Sequence, residues 1–389
     1  MIPSPVRWAL LAVPAVFLGA LFAWPVASVI GTGFDAGVVG DTLRDGATWR
    51  LLRQTAWQAL LSTVVTFAVA LPGAWVLGRV ALPGKAIVRV AMTVPFVLPT
   101  VVVATAVLAV AGPRGALSDV LRLDDSLAGV VVAHAFFDYA VVARIVGGQW
   151  ARLDRRAEEA ARTLGASPWR VGRTVTLPML APALWSAAVL VFLFAATAYG
   201  TVILLGGPGE ATVETEIAVV ARDLRDTSAA SALALVQLVA VVALLLVESR
   251  LRSRRSNATA LVPEELASRR ARPLAVAAAL APAVVLLGVP LVLLVHRSIR
   301  VGAGYGLSWY RQLGGARAGT TLFVDPSAAV WTSLRYAAVA AAIAVVVGVL
   351  AATVVASRPD RLSRAADTLL ALPLGTSAVT VGLGFLVAL

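Results

Sequence analysis

The sequence contains no cysteine, which excludes disulfides and thiolate metal sites. Charge is also scarce: 14% of the 389 residues are Asp, Glu, Lys or Arg, where a soluble domain carries about 25%. Most of the chain therefore does not face water. Lysine is nearly missing, with Lys85 alone among the arginines; a compositional bias of the source genome accounts for this.

Fifty-nine per cent of the residues are hydrophobic, and the mean hydropathy is +0.87. Ala, Val and Leu dominate and gather into long runs rather than alternating, which points to membrane helices and not to a β-barrel. The fold class expected is all-α and polytopic, with the lipid bilayer as its surroundings. A formal net charge of +12 is compatible with nucleic acid, but the basic residues sit in short loops between apolar runs. That placement marks membrane topology, and no nucleic-acid partner is expected.

A helix crossing the hydrocarbon core needs about 20 apolar residues. Runs of that kind lie near 8–30, 55–78, 87–111, 127–148, 181–205, 229–248, 274–296, 333–356 and 368–389. The first is too long for the apolar core of a cleaved signal and reads as a retained helix. Arginines concentrate in every second loop, at 79–89, 152–173, 250–272 and 358–364, while acids such as Asp41, Asp119 and Glu210 fill the loops between. The positive-inside rule then places the N-terminus in the cytoplasm of a multi-pass inner-membrane protein. The loop at 297–331 fits least well, because it is external in this scheme yet holds four arginines.

An internal repeat is visible when Pro95 is set on Pro373, an offset of 278 positions. Apolar runs then fall on apolar runs, and the basic stretch 79–89 falls on 357–367. Six helices per copy gives both copies the same orientation, a parallel repeat about an axis along the membrane normal. The expected organisation is a first six-helix half at 1–250, a basic cytoplasmic linker at 251–272 and an incomplete second half at 273–389. The second copy stops at Leu389 inside an apolar run, as a fragment of a longer chain would.

The most informative segment runs from Asp154 to Pro178. It reads as two short helices broken at Gly165. Asp154 caps the first, and Glu158 and Glu159 complement its positive end. Ser167 caps the second, with Pro168 at its favoured first position. Ala161, Leu164, Trp169 and Val175 give one apolar face among arginines. The residues leave two readings open, a docking surface for a partner's groove or a helix lying on lipid headgroups.

Glu159-Ala160-Ala161, three residues, Gly165, nine residues, then Val175-Thr176-Leu177-Pro178 resembles the EAA loop of binding-protein-dependent ABC permeases, with Val175 where the family places Ile. The resemblance implies that this loop is a coupling helix seated in a cleft of a separate ATPase subunit. It implies coupling positions at Glu159, Ala160, Ala161, Leu164, Gly165, Leu177 and Pro178, with Gly165 supplying the bend. It further implies two permease halves of MetI-like type, a dimer of cytoplasmic ABC ATPases, an extracytoplasmic solute-binding protein, and alternating access driven by ATP. Two fused halves are similar to the thiamine and ferric-iron permeases. The stretch 204–217 followed by 232–237 looks closer to the thiamine type, so thiamine or its phosphates is the expected solute, with ferric iron as the alternative.

The chain itself shows no nucleotide site. Gly84-Lys85 is followed by Ala86 and lacks the Walker A spacing, so a transport subunit is expected and not an enzyme, with no catalytic residue, cofactor or metal. Asn257-Ala-Thr259 falls on the cytoplasmic side and is incidental as a glycosylation acceptor. His134 and Asp138 lie four apart on one helix face. Ionisable groups inside a membrane are costly, and this pair is open to two readings, lining a pathway or forming a hydrogen-bonded structural pair. An ion-coupled secondary transporter with a parallel repeat is the rival from another class; it requires buried charges in several helices, and only these two sit deep.

Overall fold

The computed structural model describes residues 4–34, 36–255, 272–314 and 325–357, with 360, 362, 363, 366, 367, 370, 373 and 376–389; for 247–255 only the backbone is described. The described residues are helical almost throughout. In chain order they are α1 (Pro5–Gly33), α2 (Ala36–Arg44), α3 (Gly46–Arg79), α4 (Lys85–Thr93), α5 (Thr100–Ala111), α6 (Leu127–Arg152) and α7 (Arg156–Thr163). Next come α8 (Pro168–Ala196), α9 (Gly200–Leu205), α10 (Val213–Arg222), α11 (Thr227–Arg255) and α12 (Pro273–Ile299). A small antiparallel hairpin pairs β1 (Arg300–Val301) with β2 (Gly304–Tyr305), followed by α13 (Ser308–Arg311), α14 (Pro326–Ser357) and α15 (Ala378–Ala388).

Seven of these, α1, α3, α6, α8, α11, α12 and α14, are long and apolar enough to cross a membrane. Three expected spans take a different form. The run 87–111 is not one rod: Lys85–Val97 and Thr100–Ala111 meet at 103°. Pro95 and Pro99 explain the break, since Pro99 donates no backbone hydrogen bond and forces Leu98 into an extended conformation (φ −71°, ψ 143°). The run 181–205 ends its helix at Ala196 and resumes as the six-residue α9. The last run contributes the eleven-residue α15, while much of 368–375 and most of the linker 251–272 lie outside the described residues.

The second helix of the 154–178 loop is likewise not separate. Pro168 opens a continuous helix that runs to Ala196 through a π-helical turn at Gly172–Thr176. Pro178 follows that turn by two residues. The wider turn absorbs the hydrogen bond that proline cannot make. The same arrangement recurs where Gly19–Ala23 precedes Pro25 and Val284–Gly288 precedes Pro290.

Two compact units emerge. One comprises Gly33–Leu294. Its centre is the packing of α3 on α6, with α8 against both and the start of α12 against α3. Small residues allow that approach: a Cβ on Gly78 would lie 2.6 Å from Cβ of Trp150 and 2.9 Å from the carbonyl of Gly147, and one on Gly73 would collide with the Tyr139 hydroxyl. Close backbone approach of this kind drives helix association where lipid offers no hydrophobic force. Ala70, Ala74, Val103, Phe136, Tyr139 and Val191 fill the core between the helices.

The other unit comprises Met1–Thr32 and Val295–Leu389. Here α1 packs on α14, and Arg7 ties the two ends. Its guanidinium donates to Asp360 at 2.5 and 2.9 Å and to Ser363 Oγ at 2.9 Å, while Ser363 Oγ donates to the Val354 carbonyl at 3.0 Å. The Arg7 guanidinium and the Ser363 amide hold the Asp360 carboxyl well below the usual carboxylate range. Most of α14 is exposed, with Ala351 and Val354 as its buried residues among those described, as expected of a helix that faces hydrocarbon.

Candidate functional site

The loop 154–178 is held by local hydrogen bonds at each of its corners. Asp154 stands one position before the expected cap: Arg155 occupies the N-cap of α7 without a side-chain bond, and the Asp154 carboxylate accepts from the Arg156 amide at 2.9 Å. At the other end Gly165 adopts φ +84°. Its amide donates to the Arg162 carbonyl at 2.9 Å, and the Ala166 amide donates to the Ala161 carbonyl at 3.0 Å. That pair of bonds is a Schellman closure, which requires the left-handed region that glycine adopts without a Cβ penalty. Ser167 Oγ then accepts from the Arg170 amide at 3.4 Å, with Pro168 in the first turn of α8.

The two glutamates of α7 meet different surroundings, with side chains 15% and 62% exposed. Glu158 turns beneath the loop, where its Oε1 accepts from Arg79 Nη2 at 2.6 Å and from Thr176 Oγ1 at 2.8 Å. Arg79 is the last residue of α3, and its Nη1 donates to the Leu153 carbonyl at 3.2 Å. One guanidinium therefore joins the end of α3, the end of α6 and α7, and through Glu158 the start of α8. Glu159 points outward, 3.7 Å from Arg155 in an exposed pair.

Of the residues expected to couple, Ala160, Gly165, Leu177 and Pro178 are exposed and Ala161 is half-buried. Leu164 is 89% exposed, and Trp169 beside it 78%. Val175, expected on the same apolar face, is half-buried, so the outward patch centres on Leu164 and Trp169. Beneath the loop lies a cleft of about 440 Å³ lined by Trp75, Arg79, Trp150, Arg162, Val171 and Arg272 among others. Sequence reasoning missed Arg79, Glu158 and Thr176. The available signal was the adjacent pair Glu158-Glu159, whose side chains leave a helix about 100° apart and so reach different surroundings.

His134 and Asp138 lie apart from this loop, buried within α6. His134 Nδ1 sits 3.0 Å from Ser62 Oγ, and Nε2 sits 2.7 Å from Thr201 Oγ1. Both ring nitrogens are thus engaged by hydroxyls of α3 and α9 and not by Asp138. Gln58, one turn before Ser62, donates to the Ala195 carbonyl at 3.1 Å, joining the backbone amides that close the end of α8. This strip of α3 holds the interruption between α8 and α9 in place.

Comparison with known proteins adds the family. The description "Binding-protein-dependent transport system inner membrane component" matches residues 70–255. The chain is 28% identical over 225 residues to the thiamine transport system permease protein ThiP of Salmonella typhimurium, covering 56% of this chain and 42% of that one. It is 34% identical over 178 residues to the molybdenum transport system permease protein ModB of Escherichia coli, covering 41% and 77% respectively. The chain therefore spans less than half the length of the thiamine relative. Among solved structures, the bacterial alginate ABC transporter in complex with an alginate pentasaccharide-bound periplasmic protein contains a chain that matches with a TM-score of 0.52 at 17% identity. That match covers 65% of this chain and 96% of the other, a likeness of fold. With ModB matched over most of its length at that identity, the chain belongs to the family of binding-protein-dependent transport system inner membrane components.

Proposed function

We propose that this chain is a membrane-spanning permease of an ATP-driven importer, forming part of the solute path and taking its motion from separate ATPase subunits through the loop 154–178. One observation carries the reading. Leu164 and Trp169, two large apolar side chains, stand 89% and 78% exposed on a corner held by the Gly165 closure, the Ser167 cap and a largely buried ion pair. Exposed apolar groups on a fixed scaffold suit the groove of a protein partner, and the residues around them match the family's coupling motif. The N-terminus lies in the cytoplasm in this reading, so the loop faces the ATPase. Residues 1–250 form the first permease half, 251–272 a linker, and 273–389 belong to a second half.

A solute-binding protein would deliver cargo from the outer face. Thiamine or a thiamine phosphate is the proposed solute, supported by the thiamine relative; the molybdenum relative makes molybdate the natural comparison. The binding energy of ATP reaches the helices only if the ATPase contacts two conformations of the permease differently. The test is uptake by vesicles holding the full complex, ATPase and cognate binding protein. Thiamine accumulation that needs ATP and survives collapse of ion gradients supports the reading. Uptake driven by an ion gradient without ATP overturns it in favour of a secondary transporter, and ATP-dependent uptake of molybdate alone replaces the solute.

A further inference from the structure

The helix α3, which runs from Gly46 to Arg79, is fastened at its C-terminal end and again at Gln54 and Thr55, more than two turns inside its N-terminus. At the first clasp, Arg79 grips Glu158 at 2.6 Å and the Leu153 carbonyl at 3.2 Å. At the second, Gln54 Nε2 donates to Glu210 Oε2 at 2.5 Å, and the Val213 amide donates to Thr55 Oγ1 at 3.0 Å. Glu210 and Val213 flank the turn between α9 and α10, whose tip, Pro208-Gly209, is exposed. About 37 Å of helix separates Gln54 from Arg79 at 1.5 Å per residue.

Between these clasps Pro72 removes one backbone hydrogen bond from α3, and it is close packing on α6 that restrains the helix there. Gly73 and Gly78 bring it against α6 so closely that a Cβ at either would clash, and packed interiors of this density transmit displacement instead of absorbing it. The clasps are also chemically selective. A largely buried guanidinium–carboxylate pair is weak evidence for stability, because desolvation offsets its attraction, and such pairs are retained where they fix geometry. Arg79 and Glu158 have side chains only 8% and 15% exposed, and Thr176 supplies a further donor to the carboxylate, so the pair is built for position.

We propose that Arg79 and Glu158 are positioning residues that set the coupling loop, and that α3 is the rod by which the turn at 206–212 and the loop at 154–178 respond to one another. The proposal rests on the reading of 154–178 as the ATPase-facing loop. Docking of a binding protein on the outer turn then shifts Glu210 and Gln54, and the far end of the same helix moves the carboxylate that anchors α7. Arg79 touches neither solute nor nucleotide; it acts through Glu158.

The experiment uses the assembled complex in vesicles and reads the ratio of ATP hydrolysis with and without saturating binding protein. Glu158→Gln and Arg79→Gln should each lower that ratio by at least about fivefold, the low end of ordinary allosteric coupling, while the ATPase still co-purifies. The reciprocal exchange Arg79→Glu with Glu158→Arg should recover part of it, a rescue that a loss of folding does not show. Gln54→Leu should lower the ratio from the second clasp, and combining it with Glu158→Gln should be no worse than either alone, because both interrupt one rod. An unchanged ratio in Glu158→Gln, or fully additive losses in the double variant, overturns the proposal with the functional reading intact. Failure of the native chain to hold the ATPase at all overturns the functional reading, and this proposal with it.

Discussion

Arg79 and Glu158, separated by 79 positions in the chain, meet at 2.6 Å beneath the loop that carries the family motif. The two neighbouring glutamates of that loop consequently do different work. Glu158 anchors, and Glu159 is presented. Glu158→Gln should destabilise the fold by roughly 2–4 kcal/mol, since it leaves a buried guanidinium without its counter-charge. Glu159→Gln, which loses an exposed pair at 3.7 Å, should cost less than about 1 kcal/mol. Thermal unfolding of the detergent-solubilised variants separates them; equal losses would contradict the assignment.

Gly165 closes α7 with φ +84° and open space around its α-carbon. The constraint there is the backbone and not crowding. Gly165→Ala should therefore destabilise the loop by about 1–2 kcal/mol, and Gly165→Asn by less, because asparagine tolerates the left-handed region. Proteolysis of the loop in solubilised protein provides the ranking, and an alanine variant as resistant as the native chain would count against the Schellman closure.

Gly78 presents the opposite case. A Cβ there meets the Gly147 carbonyl at 2.9 Å and the Ala151 amide nitrogen at 3.3 Å, and backbone cannot step aside. Gly78→Val should separate α3 from α6 at a cost of about 1–3 kcal/mol. Gly148→Val, where nothing lies within 4 Å, should be tolerated. Expression and melting temperature of the two variants check this directly.

His134 holds Ser62 and Thr201 with its two ring nitrogens. Its replacement by alanine strands two buried hydroxyls, at about 1–3 kcal/mol each, and should loosen α9 first, seen as faster amide exchange across 200–205. Asp138→Asn keeps the shape of the residue and should leave solute uptake within about twofold. A loss of uptake with unchanged folding would move Asp138 into the solute path.

The existence of α3 and α6 was legible in the sequence because each holds a long apolar run, but their extents were not: α3 begins at Gly46 rather than near 55, where Arg50, Arg53 and Gln54 dilute the apolar signal, and α6 runs on to Arg152 rather than ending near 148. Direction was not legible. A hydropathy window over 87–111 sums the same residues whether the helix is straight or bent at Pro99, and only the pair Pro95 and Pro99 hinted at a bend. The start of α8 at Pro168 was legible from Ser167 and Pro168, but its continuity with the span to Ala196 was hidden by Arg170 and Arg173, which dilute the apolar signal. The motif from Glu159 to Pro178 was legible through its resemblance to the family's loop, while the residues by themselves left a docking surface and a headgroup helix both open. Its anchor was not legible, because Arg79 looked like one more topological marker and its partner lies far along the chain, where only the folded structure brings them together.

The central claim is that Leu164 and Trp169 rest on an ATPase. The chain has no cysteine, so Leu164→Cys and Trp169→Cys each introduce one unique thiol. A short bifunctional crosslinker applied to the assembled complex in membranes should join each variant to the ATPase, and ATP trapping should alter the yield. Crosslinks that never reach the ATPase from either position, in a complex that still imports its solute, would contradict the account.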